Sequence, residues 1–193
     1  MNILDTLSLI EKNSLKIVQL KKDETIFSEG EKCEYIGIVL LGELVISSFS
    51  YIGKEIIFNI IKKDEMFGNN LIFSLNPIYR GNVTASKDSK IALINKLDLI
   101  KLLRNNEKFL LEFLALEAEF GKSLNSRIKL LALDSAEERL IYYLTINNKI
   151  IKYDSITSLA SSLNLSRETL SRLISRLVKN RIIEKGKHYI KLL

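Results

Sequence analysis

The residue types best suited to recognition chemistry are concentrated in one short stretch: Arg167, Glu168, Ser171, Arg172, Ser175 and Arg176. Among them Leu170, Leu173, Ile174 and Leu177 recur at i, i+3, i+4 and i+7, the mark of an amphipathic helix with an apolar inner face. The six polar residues fall on its outer side. A guanidinium can donate two parallel hydrogen bonds to guanine, and an ionised Glu accepts from the amino group of cytosine. Ser hydroxyls and further cations suit phosphate oxygens, which position a protein without carrying sequence information. This combination of residue types points to double-stranded DNA.

Such a helix needs elements to hold it. Ser166 is placed to cap its start, and Asp154 or Ser155 caps a shorter helix before it, with Ile156, Leu159, Ala160 and Leu163 as the buried side. Asn164-Leu165 forms the turn between the two, which predicts a helix-turn-helix. Ala160 is small where the helices cross. Asn164 tolerates the left-handed conformation that a tight turn needs, and Leu165 plugs the gap between the helices. Residues 181–191 read as a two-stranded wing, with Lys185 and Lys187 at a Gly186 turn where they can meet the DNA backbone.

The charge distribution agrees. The 193 residues carry 29 Lys plus Arg against 23 Asp plus Glu, a net charge of +6. Residues 1–133 hold 18 basic and 17 acidic residues, whereas residues 134–193 hold 11 and 6. A basic segment on a near-neutral body indicates a polyanionic partner. The hydrophobic share of 47% and charged share of 27% are those of a soluble globular protein. Cys33 is the single Cys and His188 the single His, so an intrachain disulfide and a Cys/His zinc site are both excluded. No paired carboxylates, phosphate loop or nucleophile–base set stands out, which argues against an enzyme. Met1–Leu9 has no Lys or Arg and contains Asp5, unlike a signal peptide. The longest apolar run, Ile36–Leu41, is far short of the ~20 residues that span a bilayer. A cytoplasmic protein with no membrane partner is expected.

Residues 15–95 read as β structure, with strands at Leu15–Leu20, Thr25–Phe27, Tyr35–Leu41, Leu44–Phe49, Glu55–Ile61, Asn82–Ser86 and Lys90–Ile94, separated by short turns. Many short strands at regular spacing predict a sandwich or barrel. A helix starts at Asn95–Asp98, and a longer one runs from Asn106 to about Ala132. The apolar residues of the longer helix are Phe109, Phe113, Leu116, Phe120, Leu124, Ile128 and Leu131, close to a coiled-coil seam. Such a stripe calls for a second copy of the helix, hence a parallel homodimer, or for packing along the chain's own barrel. Gly121 costs about 1 kcal/mol against Ala in a helix, which close approach of a partner backbone or a ligand would justify. Leu133-Asp134-Ser135 breaks this helix. The expected organisation is α+β: a β-barrel sensor domain at 1–105, a dimerisation helix at 106–133 and a winged helix-turn-helix domain at 134–193.

The string SRETLSRL, from Ser166 through Arg172 to Leu173, resembles the recognition helix of the cyclic-AMP receptor protein/Fnr (Crp/Fnr) family of bacterial transcription regulators. The resemblance covers nearly the whole chain. Gly30, Gly42, Gly53 and Phe67-Gly68 stand at the family's barrel turns, and the long helix, the Leu133-Asp134 hinge and the SAEERL helix at 135–140 fit as well. It implies a jelly-roll barrel like a cyclic-nucleotide-binding domain, whose effector biases two dimer conformations. One of them places both recognition helices in successive major grooves. By position, Arg167, Glu168 and Arg172 are then the base readers and Ser171 a base or phosphate contact. Palindromes with TGA-containing half-sites are the implied targets, and RNA polymerase the implied partner of an activator.

The sensor site departs from the family's cyclic-nucleotide binders. Those carry Gly-Glu in a barrel loop, where the Glu takes the ribose hydroxyl, and a later Arg-Ser pair whose Arg neutralises the cyclic phosphate. Here the loop reads Phe67-Gly68-Asn69-Asn70, without the Glu. Arg80 is followed by Gly81 and aligns with the phosphate Arg only with one extra loop residue, and Ser123 falls where cyclic-AMP binders touch adenine. Gly68, Asn69, Asn70, Arg80, Gly81 and Ser123 are therefore the candidate effector residues, with cyclic AMP disfavoured. An iron–sulfur cluster needs several Cys, and the one His lies in the wing, so cluster and haem are disfavoured too. Cys33, among acidic neighbours, reads as incidental. Another small effector, or constitutive activity, stays open. The competing function is a cyclic-nucleotide-binding regulatory module that acts through a protein partner.

Overall fold

A computed structural model describes residues 3–193. The chain forms two compact units, Met1–Ala118 and Glu119–Leu193. The architecture is α+β, of the jelly-roll and winged-helix type.

The first unit carries six strands: β1 (Lys16–Leu20), β2 (Thr25–Phe27), β3 (Tyr35–Phe49), β4 (Glu55–Lys62), β5 (Met66–Phe67) and β6 (Asn82–Asn95). All pairings are antiparallel, in the order β1-β6-β3-β4, with β2 also on β6 and β5 also on β3. Among the described residues no ladder joins β1 to β4, so backbone pairing does not close the ring. The apolar core gathers Ile36, Ile38 and Leu44 of β3 with Val83, Ile91 and Leu93 of β6. Short helices α1 (Leu9–Asn13) and α2 (Asn69–Ile72) and the longer α3 (Lys96–Asn105) complete the unit. The expected start of α3 holds: Asn95 Oδ1 accepts from the Asp98 amide at 2.9 Å.

Two expected pairs of strands are each one strand. The turns foreseen at Leu41-Gly42-Glu43 and Lys87-Asp88-Ser89 do not reverse the chain. They lie opposite one another in the β3–β6 ladder, where Leu41 faces Lys90 and Glu43 faces Lys87, and the register shifts on both sides of Gly42. The irregularity is absorbed as a bulge that bends both strands together. Gly42 has φ +93°, and a Cβ there would lie 2.1 Å from Ser89 Oγ and 2.6 Å from the Asp88 carbonyl oxygen. Buried Ser89 fills that space, its hydroxyl accepting from the Glu43 amide at 3.0 Å and donating to the Lys87 carbonyl at 2.7 Å.

The long helix α4 (Glu107–Ala132) matches the expected span, and the division between the units falls within it. Its apolar stripe is split. Phe109 and Phe113 are buried in the first unit's own core, with Leu116 packed against it. Leu124, Ile128 and Leu131 are exposed, as are Leu111 and Leu114 on the same helix. The two alternatives for this stripe therefore divide along its length: its first part belongs to its own barrel.

The second unit contains α5 (Ala136–Ile146), β7 (Ile150–Lys152), α6 (Ile156–Ser162), α7 (Arg167–Lys179), β8 (Ile183–Lys185) and β9 (Tyr189–Leu192). The expected two-stranded wing is a three-stranded sheet in the order β7-β9-β8. Ile150-Ile151-Lys152 is too short to show a period of its own. It becomes a strand through its ladder with Tyr189–Lys191.

Candidate nucleic-acid interface

The interface is built on α6 and α7. Ser155 caps α6, accepting from the Ser158 amide at 3.1 Å, and Ser166 caps α7, accepting from the Thr169 amide at 3.1 Å. Such caps contribute about 1 kcal/mol each. The inner residues contribute more: Leu159, Ala160 and Leu163 of the first helix and turn meet Leu170, Leu173, Ile174 and Leu177 in one core. A fully buried Leu or Ile is worth about 1.5–3 kcal/mol. Between the helices Asn164 takes φ +51°, and the Leu165 amide donates to the Ala160 carbonyl at 2.9 Å. Leu165 is half-buried against the core, as its plugging role requires.

With the inner face fixed, Arg167, Glu168, Ser171, Arg172, Ser175 and Arg176 are all exposed. The helix brings them onto one solvent-facing surface. The Glu168 carboxyl is held below the usual carboxylate range, first by its own backbone N–H, then by the Ser166 hydroxyl, with Arg167 and Arg172 adding to the effect. It is a pure acceptor at neutral pH. Ser175 donates to the Ser171 carbonyl at 3.0 Å, so its hydroxyl oxygen still has acceptor capacity. Among the described residues Arg167 and Arg172 make no ion pair, and neither do Lys185 and Lys187, exposed at the wing tip. Arg176 differs: its Nη2 lies 2.7 Å from Glu137 Oε2 on α5.

Three further residues bear on this surface. Lys179 lies four residues beyond Ser175 and is exposed, so the helical period already carried it onto the outer face. Glu137 and Arg139 owe their positions to tertiary contacts that no local pattern encodes. Arg139 Nε donates to the Leu133 carbonyl at 3.0 Å, and its Nη1 to the Asn164 carbonyl at 3.3 Å.

The effector candidates are less unified. Gly68, with φ +78°, precedes α2, and a Cβ there would approach the Tyr35 carbonyl oxygen to 2.8 Å. Asn69 donates from Nδ2 to Glu117 Oε1 of α4 at 2.5 Å, and Asn70 is exposed. Arg80 is exposed and, among the described residues, makes no hydrogen bond or ion pair. Gly81 is buried, where a Cβ would meet the Ser47 carbonyl oxygen at 2.7 Å. Ser123 is exposed on the part of α4 that belongs to the second unit. Cys33 is buried against the Gly68 carbonyl, at 3.6 Å, and burial pushes its thiol pKa up, which keeps it protonated.

Comparisons with known proteins match this arrangement in both units. A family model described as a cyclic nucleotide-binding domain matches residues 17–106, and one described as a Crp-like helix-turn-helix domain matches residues 138–193. The anaerobic regulatory protein of Bacillus subtilis (strain 168) is 25% identical over 197 residues, spanning 95% of this chain and 82% of its own length. The structure of FixK2 from Bradyrhizobium japonicum superposes with a TM-score of 0.61 at 22% identity over 92% of each chain. A variant of CooA from Carboxydothermus hydrogenoformans gives a TM-score of 0.72 at 17% identity, over 100% of this chain and 90% of that one. These two likenesses establish the fold.

Proposed function

We propose, from the premise that the chain belongs to the Crp/Fnr family of DNA-binding transcription regulators, that it works as a homodimer on a palindrome with TGA-containing half-sites. Two copies of α7 then enter successive major grooves about 34 Å apart. Arg167, Glu168 and Arg172 read base edges, with Ser171 beside them. Ser175, Arg176, Lys185 and Lys187 hold phosphates. The observation that carries this reading is the ionised Glu168 beside Arg167 and Arg172, which make no ion pair among the described residues, on a helix whose inner face is fully committed to the core.

The dimer forms through the 106–133 segment. Its solvent-facing line runs through Leu114, Ala118, half-buried Gly121, Leu124, Ile128 and Leu131, not through Phe109 and Phe113. Among the described residues nothing lies within 4 Å of a Cβ built on Gly121, and no contact among them calls for glycine there. A partner helix crossing closely at Ala118–Gly121 does.

Activity is constitutive or set by a small effector other than cyclic AMP. Asn69 stands where a ribose-binding Glu would be needed, and its amide is already engaged by Glu117. Neither haem nor an iron–sulfur cluster is part of the proposal. Among the described residues no helix is long and apolar enough to cross a membrane. The proposed setting is the cytoplasm, with RNA polymerase as partner if the chain activates.

A fluorescence titration without added effector, at physiological salt, compares the palindrome with a scrambled duplex of equal length. Selective binding is expected, and Arg172→Ala or Glu168→Ala should remove about 1–3 kcal/mol of discrimination. Either variant keeping the full preference would refute the assigned roles.

A further inference from the structure

We propose that Glu137 is an affinity-setting residue: it occupies Arg176 as a stand-in for a DNA phosphate and so lowers the chain's affinity for every duplex. The proposal rests on the DNA-binding reading of α7. At about 100° per residue, the mean direction of Leu170, Leu173, Ile174 and Leu177 defines the inward side of α7. Glu168 and Arg172 then point outward, toward the floor of a groove. Arg176 lies on one flank, where a helix seated in the major groove meets a sugar–phosphate strand.

Among the described residues Arg167 makes no ion pair, whereas Arg176 is held by Glu137 at 2.7 Å. Among the described residues it is the only cation of α7 or of the β8–β9 wing in an ion pair. Glu137 stands in the first turn of α5 and shares with Leu133, Ala136, Ile141, Tyr142 and Arg176 an open cleft of about 640 Å³. The exposed Arg176 side chain can turn its guanidinium from this cleft toward solvent.

The side chains of the pair are 60% and 42% exposed, so the bond is weak and exchangeable rather than a structural brace. A phosphate can displace the carboxylate, but each binding event then gives up one ion pair and leaves an unpaired anion beside the DNA. The penalty does not depend on base sequence. It leaves discrimination to the outward residues while limiting attachment to arbitrary DNA.

Glu137→Gln removes the charge and keeps the shape. Titration of wild type, E137Q, R176Q and the double variant E137Q/R176Q against the palindrome and the scrambled duplex, over a range of salt, tests the idea. E137Q should bind both duplexes roughly three- to fivefold more tightly, the scale of one exposed ion pair. Its slope of log K against log salt should steepen by up to about 0.9, because in the wild type the anion left beside the DNA offsets one neutralised phosphate. The palindrome-to-scramble ratio should not change, and the gain should vanish in the R176Q background. No gain, or the same gain with and without Arg176, would overturn the proposal; the latter would mean that Glu137 acts through net charge alone. Urea midpoints and far-ultraviolet circular dichroism separate an affinity change from a folding defect, and Glu137→Ala should reproduce the gain. A wild-type chain that binds neither duplex even at the lowest salt, where non-specific attachment through phosphates needs no effector, would instead sink the DNA-binding assignment from which this one follows.

Discussion

Arg139 holds the carbonyl of Asn164, the residue that takes the left-handed conformation in the turn between α6 and α7, and the same guanidinium holds the carbonyl of Leu133 just after α4. One planar donor set thus fastens the segment between α4 and α5 to the geometry of the recognition turn. Lys carries its donors on one nitrogen and does not reproduce this planar fork. Arg139→Lys should therefore lose most of what Arg139→Ala loses, about 1–2 kcal/mol of stability in urea denaturation. A fully stable Lys variant would show that the two bonds contribute nothing.

Asn164 itself has φ +51°. A residue with a Cβ and no local hydrogen bonding is about 1–2 kcal/mol less stable there, and Gly has no such penalty. Asn164→Ala should lower the unfolding free energy by about 1 kcal/mol, while Asn164→Gly should leave it near the wild-type value. Chemical denaturation of the pair of variants reads the difference directly.

Gly42 and Gly30 make a controlled comparison in the first unit. Both have positive φ, +93° and +83°, but only Gly42 has close neighbours, Ser89 Oγ and the Asp88 carbonyl. Gly30→Ala should cost only the backbone term of about 1–2 kcal/mol. Gly42→Ala adds a clash with backbone at the shared bend and should cost several kcal/mol, beyond the usual range of a single substitution. Thermal melts of the two variants should differ accordingly, and equal melting temperatures would refute the bend as the reason for Gly42.

Gly121→Ala separates helix propensity from association. In an isolated helix Ala is about 1 kcal/mol better than Gly, and no atom of the described residues obstructs the added methyl. If two copies of α4 approach at this point, the methyl should weaken the dimer. Sedimentation equilibrium should show a raised dissociation constant, and unchanged association would remove Gly121 from the contact.

Glu138 completes a capping box, accepting from the Ser135 amide at 3.1 Å. That amide first and the Ser135 hydroxyl second hold its carboxyl below the usual value of 4.5. A lowered folded pKa gives stability that is full above the unfolded pKa and is lost as pH falls through the folded one. Glu138→Gln keeps an acceptor without a titrating charge. Its stability should fall less steeply than wild type below about pH 4.5 in urea melts taken across the acid range.

The sequence made the helix-turn-helix readable because its signals are local. Caps at Ser155 and Ser166, the period of Leu170, Leu173, Ile174 and Leu177, and Asn164 in the turn each lie within a few residues of what they specify. Where pairing partners are distant, the sequence misled. Gly42 carries the ordinary signature of a reversing turn, and only its alignment with Lys87–Ser89 makes it a bulge inside one strand. The stripe of α4 is uniform in composition, but a core that reaches Phe113 divides it. Arg176 has the same residue type as Arg167 and Arg172, and only the folded position of Glu137 sets it apart.

The sheet of the first unit is organised around β6, which pairs with β1, β2 and β3. As a chain is synthesised from its N-terminus, β6 is the last of the six strands to appear. Until then β1 and β2 have no ladder partner, and β3 has only β4 and β5. Assembly of the sheet therefore waits on residues 82–95, with loop-closure entropy opposing the long-range pairings. In that interval the unpaired strands of the nascent chain are open to pairing with other chains, so this unit, more than the helical one that follows it, sets the demand for protection during synthesis.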